Sequence, residues 1–173
     1  MKINIIAVGK IKEKYLKEAI DEYRKRMSKF CVLDIIEVNE SIAKIENDSN
    51  IKKSIEDEGK SILSKIKDGY VIVLDIDGKE YSTTELGNKI NEIIVKGNSQ
   101  INFVIGGSYG LSNSVKEKAD LRLSFSKLTF PHQLFRVILL EQIYRVFKIA
   151  NNEPYHKWAI LPYFCHILWG FEV

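Results

Sequence analysis

Short apolar, β-branched runs alternate along the chain with segments in which apolar residues recur every three or four positions. Ile3–Val8 (INIIAV), Val32–Val38 (VLDIIEV), Tyr70–Ile76 (YVIVLDI) and Ile101–Gly107 (INFVIGG) read as strands, with Leu121–Ser126 (LRLSFS) as a less apolar fifth. Ile72-Val73-Leu74 and Phe103-Val104-Ile105 are continuously apolar, as expected of strands covered on both faces of a parallel sheet. Tyr15, Leu16, Ala19, Ile20, Tyr23, Met27 and Phe30 fall on one stripe and predict a first helix; Ile51, Ile55, Ile62, Leu63 and Ile66 predict a second. The third opens at Ser82-Thr83-Thr84-Glu85, where serine and glutamate are spaced for a capping box, and Gly97 follows its end. Ser112–Ala119 fits a short fourth helix. The last runs from Pro131 to about Ala150, and Pro131 suits a first helical position because its missing N–H is unneeded there. Strand–helix alternation predicts a single-domain α/β fold with a mainly parallel sheet flanked by helices. Asn39–Asn50 reads as a polar loop.

At 173 residues the chain suffices for one domain with its own core, and 45% hydrophobic with 28% charged residues is an ordinary globular balance. Apolar runs such as Val137–Leu140 are far shorter than a membrane span. The opening MKINIIAVGKIKEKY lacks the apolar core and small-residue cleavage site of a signal peptide, so a cytoplasmic location is expected. Cys31 and Cys165 lie far apart with no CxxC spacing, which fits buried thiols in a reducing compartment. The net charge of +3 says little, but its distribution says more. Lys10–Phe30 holds eight Lys or Arg, including Arg24-Lys25-Arg26. Such a face is either a phosphate-binding stripe or a solvated surface with i,i+4 ion pairs.

Three stretches hold candidate chemistry. VIGGSYGL places Gly106, Gly107 and Gly110 directly after a buried strand, as a ligand-cradling turn or a tight structural one. It is not GxGxxG, and no acidic residue ends a strand about twenty residues on, which disfavours a nicotinamide dinucleotide. In VLDIDGKEYST, Leu74-Asp75 ends a strand and Asp77-Gly78 reads as a turn. Ligands of open α/β sheets bind beyond the carboxyl ends of strands, and the Leu74 and Gly106 ends and the Phe125–Phe130 loop are expected to converge there. In TFPHQLFR, His132 and Arg136 are four apart and share a helix face. The helix N-terminus favours a neutral His132. Arg136 suits a phosphate or carboxylate, or else pairs with a nearby acid. His132, His156 and His166 make no metal-ligand pattern, and no metal is predicted.

IGGSYGL followed by SFSKLTFPHQLFRVILLEQIYRVFKIANNEPYHK, with INIIAVGK and VIVLDIDGKEYST before them, resembles the ribosomal RNA large subunit methyltransferase H family of the SPOUT superfamily. The likeness spans Met1–Lys157, and these motifs in this order are specific. It implies a homodimeric enzyme that uses S-adenosylmethionine to methylate N3 of a pseudouridine in helix 69 of 23S rRNA, on the assembled ribosome. It also implies a C-terminal trefoil knot, an exception to the rule that chains do not thread loops. Carried over by position, the resemblance assigns Leu74, Gly106, Phe125, Ser126, Lys127, Leu128, Thr129 and Phe130 to the cofactor. His132, Arg136, Tyr155 and His156 fall to the substrate side, while Arg24, Lys25 and Arg26 are expected on rRNA phosphates from charge alone. A related SPOUT enzyme acting on tRNA and a non-catalytic ribosome-binding protein are the alternatives. Residues 158–173 (WAILPYFCHILWGFEV) continue past the family's usual end as an apolar extension.

Overall fold

Five strands and five helices alternate in the computed structural model, which describes residues 1–41, 45, 47–151 and 153. They are β1 (Lys2–Val8), α1 (Lys14–Met27), β2 (Val32–Val38), α2 (Asp48–Leu63), β3 (Tyr70–Glu80), α3 (Thr83–Val95), β4 (Gln100–Ile105), α4 (Asn113–Glu117), β5 (Leu121–Ser124) and α5 (His132–Ala150). Among the described residues the pairings between these strands are parallel, in the order β2-β1-β4-β3-β5, with Ile5 opposite both Ile35 and Phe103, and Ile72 opposite Phe103.

Alternation along each strand sends successive side chains to opposite faces. Ile3, Ile5, Ile72, Phe103 and Leu123 join the core under α1, α3 and α5, whereas Ile6, Val73 and Val104 join a smaller core with Ile62 of α2 and Val115 of α4. Both faces are therefore covered, which accounts for the continuous apolar runs of β3 and β4. Three helices begin with a side-chain cap, whereas α5 starts at His132 with Pro131 just outside it as the N-cap and not at the expected first helical position. Ser82 accepts from the Glu85 N–H while Glu85 bonds back to the Ser82 N–H, completing the capping box of α3. Asn47 caps α2 and Ser112 caps α4 in the same manner.

Two further local expectations are corrected. Tyr15 is 64% exposed and stands off the α1 stripe, which Leu16, Ile20 and Met27 bury. Asp77-Gly78 is not a turn: β3 runs on to Glu80, and its register against β5 shifts between Leu74 and Lys79. The shift brings backbone against backbone, and a Cβ on Gly78 would lie 2.7 Å from the Arg122 carbonyl. Glycine permits that approach, and so the strand continues. Among the described residues no helix is long and apolar enough to cross a membrane.

Candidate functional site

Parallel strands and returning helices bring the C-terminal ends of β3 and β4 to one edge of the sheet, and the loop from β5 to α5 closes over them. There lies a cavity of about 390 Å³. Leu74 and Gly106 form its floor from the two strand ends. Phe125, Ser126, Leu128, Thr129 and Phe130 wall it from the loop, and His132 closes it from the first turn of α5. Lys127 is exposed and outside this lining. The volume lies in the range of small-molecule sites, and the lining has their usual character, apolar rings and aliphatics with a few polar groups.

The loop takes its shape from its own residues. The Ser126 hydroxyl accepts from the Leu128 N–H at 2.9 Å, and Ser124 donates to the Ser126 carbonyl. Phe135, one turn into α5, meets both ends of the loop: edge-on against Phe125 at 5.0 Å and stacked on Phe130 at 5.6 Å. It also lines the cavity, as do Asp75 and Lys116. Sequence reasoning missed all three. Phe135 lay within an apolar helix, where nothing separates a cavity wall from core.

The glycine turn owes its composition to packing more than to ligand approach. A Cβ on Gly106 would lie 2.8 Å from the Leu111 side chain, and one on Gly107 would lie 2.6 Å from Glu58 Oε2. Glu58 is 3% exposed, and its Oε1 accepts from the Ser41 N–H at 2.8 Å. Burial raises its carboxyl above the usual range and nearby Glu40 pushes the same way, with the Ser41 bond opposing them. Glu40 in turn accepts from the Ser108 hydroxyl at 3.1 Å, so the β2–α2 loop braces the turn from outside.

Arg136 does not join the cavity. Its guanidinium is wholly buried beneath the end of β1, where Nη2 donates to the carbonyls of Val8 and Gly9, each at 2.7 Å. Nη1 donates to Glu37 Oε1 at 3.1 Å, and Glu37 also accepts from the Ile11 N–H. Burial pulls the group below the ordinary guanidinium range, against the attraction of Glu37. The expectation of a substrate-facing cation is corrected on that ground: two strand-end carbonyls and a carboxylate already occupy it. A share in one helix face therefore did not mean a share in one site.

Arg24, Lys25 and Arg26 lie in the last turn of α1, where cations complement the helix dipole, and all three are exposed. Arg26 pairs with Glu22 at 2.8 Å and lies over the rings of Tyr23 and Tyr144. Lys14 pairs likewise with Glu18. Because α1 runs back along the sheet from the end of β1 to the start of β2, its last turn sits at the opposite sheet edge from the cavity, about 20 Å of helix away. Tyr155, His156 and residues 158–173 lie outside the described residues. Among the described residues no group of three or more His, Cys, Asp or Glu side chains is placed to hold a metal ion.

Residues 1–156 match the protein family described as "Predicted SPOUT methyltransferase". The chain is 55% identical over 159 residues to "Ribosomal RNA large subunit methyltransferase H" of Clostridioides difficile strain 630, covering 91% of this chain and 100% of that protein. It is 52% identical over 162 residues to the protein of the same name in Clostridium acetobutylicum, with the same coverage. Among solved structures, a probable methylase family protein from Haemophilus influenzae Rd KW20 superposes with a TM-score of 0.51 at 14% identity, over 90% of this chain and 70% of that one. That likeness concerns the fold alone.

Proposed function

The chain belongs to the SPOUT methyltransferases, within the ribosomal RNA large subunit methyltransferase H family, and on that premise we propose that it methylates ribosomal RNA from S-adenosylmethionine bound in the cavity described above. The target we propose is N3 of a pseudouridine in helix 69 of 23S rRNA. The acting form is a cytoplasmic homodimer on the ribosome, and α5 is drawn through the preceding loops in the family's trefoil knot. One observation carries the reading: Leu74, the Gly106 turn and the Phe125–Phe130 loop, remote in sequence, enclose one cavity of about 390 Å³.

The residues present fit an adenosine-bearing cofactor. Phe125, Phe130 and Leu74 offer apolar faces to a flat base, and the polypeptide of the Gly106 turn and of Ser126–Thr129 offers amide and carbonyl groups to its edge. Lys127 belongs to this reading through its backbone. When bound, S-adenosylmethionine supplies a methyl group already activated by sulfonium charge, so the protein's work is alignment and exclusion of water. His132, at the cavity's mouth, accepts the proton that leaves the N3 imide on an imidazole nitrogen, with His156 and Tyr155 assigned to the same side. Arg136 acts here as a positioning residue: by holding Val8 and Gly9 it fixes the first turns of α5, and His132 with them. Arg24, Lys25 and Arg26 take rRNA phosphates along a helix end remote from the cavity of their own chain. Residues 1–157 are the catalytic domain in this proposal, and 158–173 are an appended segment.

Mass spectrometry of rRNA from a strain lacking the gene, with and without the gene restored, tests the reading. Loss of N3-methylation at the helix 69 pseudouridine and its return with the gene are expected; full methylation in the disrupted strain would remove the assignment.

A further inference from the structure

The polar end of the cavity carries charges that the reading above does not use. Asp75 directly follows Leu74, its side chain is 5% exposed, and it lines the cavity together with Lys116 of α4. Its two oxygens are engaged very unequally. Oδ2 accepts from Arg122 Nε at 2.9 Å and Nη2 at 2.7 Å, and Lys116 Nζ stands 3.2 Å from the same atom. Among the described residues Oδ1 accepts only a long bond, 3.3 Å, from the Asp77 N–H. The cavity wall thus presents one under-used carboxylate oxygen beside an ammonium group that has further N–H donors to give. Asp77 lines the same wall, so two carboxylates stand against the two cations and the wall offers both signs of charge to a ligand.

A ligand that satisfies both needs carries a cation and an anion close together. A ribose diol is the weaker fit, because a carboxylate that grips two hydroxyls needs both oxygens and Oδ2 is already filled. We propose that Asp75 and Lys116 form the subsite for the α-amino-acid end of the bound cofactor, Asp75 Oδ1 accepting from the ammonium and Lys116 Nζ donating to the carboxylate. This rests on reading the cavity as the S-adenosylmethionine site, and it states which wall takes the methionine part. Burial acts to raise the Asp75 carboxyl, but the bonds from Arg122 and Lys116 prevail and hold it below the usual range, so it is ionised at neutral pH. The competing role is structural, because Asp75 also ties β3 to Arg122 of β5 where the register shifts.

Calorimetric titration of the full chain separates the two roles, with S-adenosylhomocysteine as one ligand and 5′-methylthioadenosine, which keeps base and ribose but lacks the amino-acid end, as the other. Asp75→Asn and Lys116→Gln are each expected to weaken S-adenosylhomocysteine about tenfold or more, the usual worth of a charge-assisted hydrogen bond, and to change methylthioadenosine by less than about twofold. Arg122→Gln, which cuts the strand tie alone, is expected to lower the melting temperature and keep the wild-type ratio of the two affinities. Equal losses for both ligands, or no loss for either, overturn the subsite and leave the cofactor reading standing. Failure of the wild-type chain to bind either ligand overturns the cofactor reading itself.

Discussion

The carboxyl edge of the sheet is finished in two opposite ways, and α5 takes part in both. Over β3 and β4 the strand ends are left open beneath a loop, with aromatic rings and a few polar groups around about 390 Å³ of space. Over β1 the end is sealed, because Arg136 enters from α5 and fills the Val8 and Gly9 carbonyls while Glu37 neutralises it. Strand ends in such a sheet are left with unpaired carbonyls. A protein can satisfy them with its own cation or leave a cavity over them, and here α5 meets both outcomes one turn apart along the same face. Sealing one end fixes the angle at which α5 starts, and the open end needs that angle if His132 and Phe135 are to stand where they do.

Removal of the seal should have the largest effect. Arg136→Ala takes the guanidinium from two buried carbonyls and from Glu37, which keeps the Ile11 N–H, and a loss of about 3 kcal/mol in urea unfolding is expected, toward the lower end for a broken buried pair because Glu37 is partly exposed. Binding of S-adenosylhomocysteine should weaken along with stability, and Arg136→Lys should restore only part of each. A variant that kept full stability and lost only methyl transfer would return Arg136 to the substrate side and erase the distinction between the two ends.

The open end should respond less in stability and more in binding. Phe135→Ala removes the ring on which Phe125 and Phe130 rest, and two aromatic pairs at roughly 1 kcal/mol each set the expected loss near 2 kcal/mol. Affinity for S-adenosylhomocysteine should fall further than that stability loss implies, since the loop loses its backing, and Phe135→Leu should recover most of the fold and less of the affinity. An unchanged affinity would mean that the loop holds its shape without α5.

The smallest effect lies in the pH dependence of the glycine turn. Burial raises the Glu58 carboxyl in the folded state, so the native protein binds this proton more tightly than the unfolded chain does. Stability from this group is therefore present below the ordinary glutamate value and is lost as pH rises through the folded value. Glu58→Gln should flatten the melting temperature across that window and raise it at neutral pH. Asp75 has the opposite sign: its lowered value contributes stability above the ordinary aspartate range and loses it in acid. A steeper profile in Glu58→Gln would show that the carboxylate, not the acid, is what the turn requires.

Most of the fold was legible from periodicity. The five strands, the covered faces of β3 and β4 and the capping box at Ser82 all follow from local patterns that the tertiary structure keeps. The errors fell where a distant partner decides the outcome. Asp77-Gly78 has the composition of a turn, but Gly78 is held in strand by the backbone of Arg122, forty-four positions away. His132 and Arg136 share a face by spacing, yet Arg136 lies one turn deeper and reaches a strand more than a hundred residues earlier in the chain. Asp75 and Lys116 escaped notice for the same reason, since their pairing exists only after α4 folds beside the end of β3. The three segments around the cavity were suggested by the sheet-edge rule, while their assignment residue by residue to a cofactor came from the family resemblance, because local pattern alone left the glycine turn as structure or site equally.

Hydrogen exchange of the full chain with and without saturating S-adenosylhomocysteine tests most directly whether the open end, and not the sealed one, is the binding site. Slowed exchange is predicted in 74–77, 105–111 and 125–132, with 8–12 and 32–38 unchanged. Protection at the β1 and β2 ends with none in the loop would contradict the account.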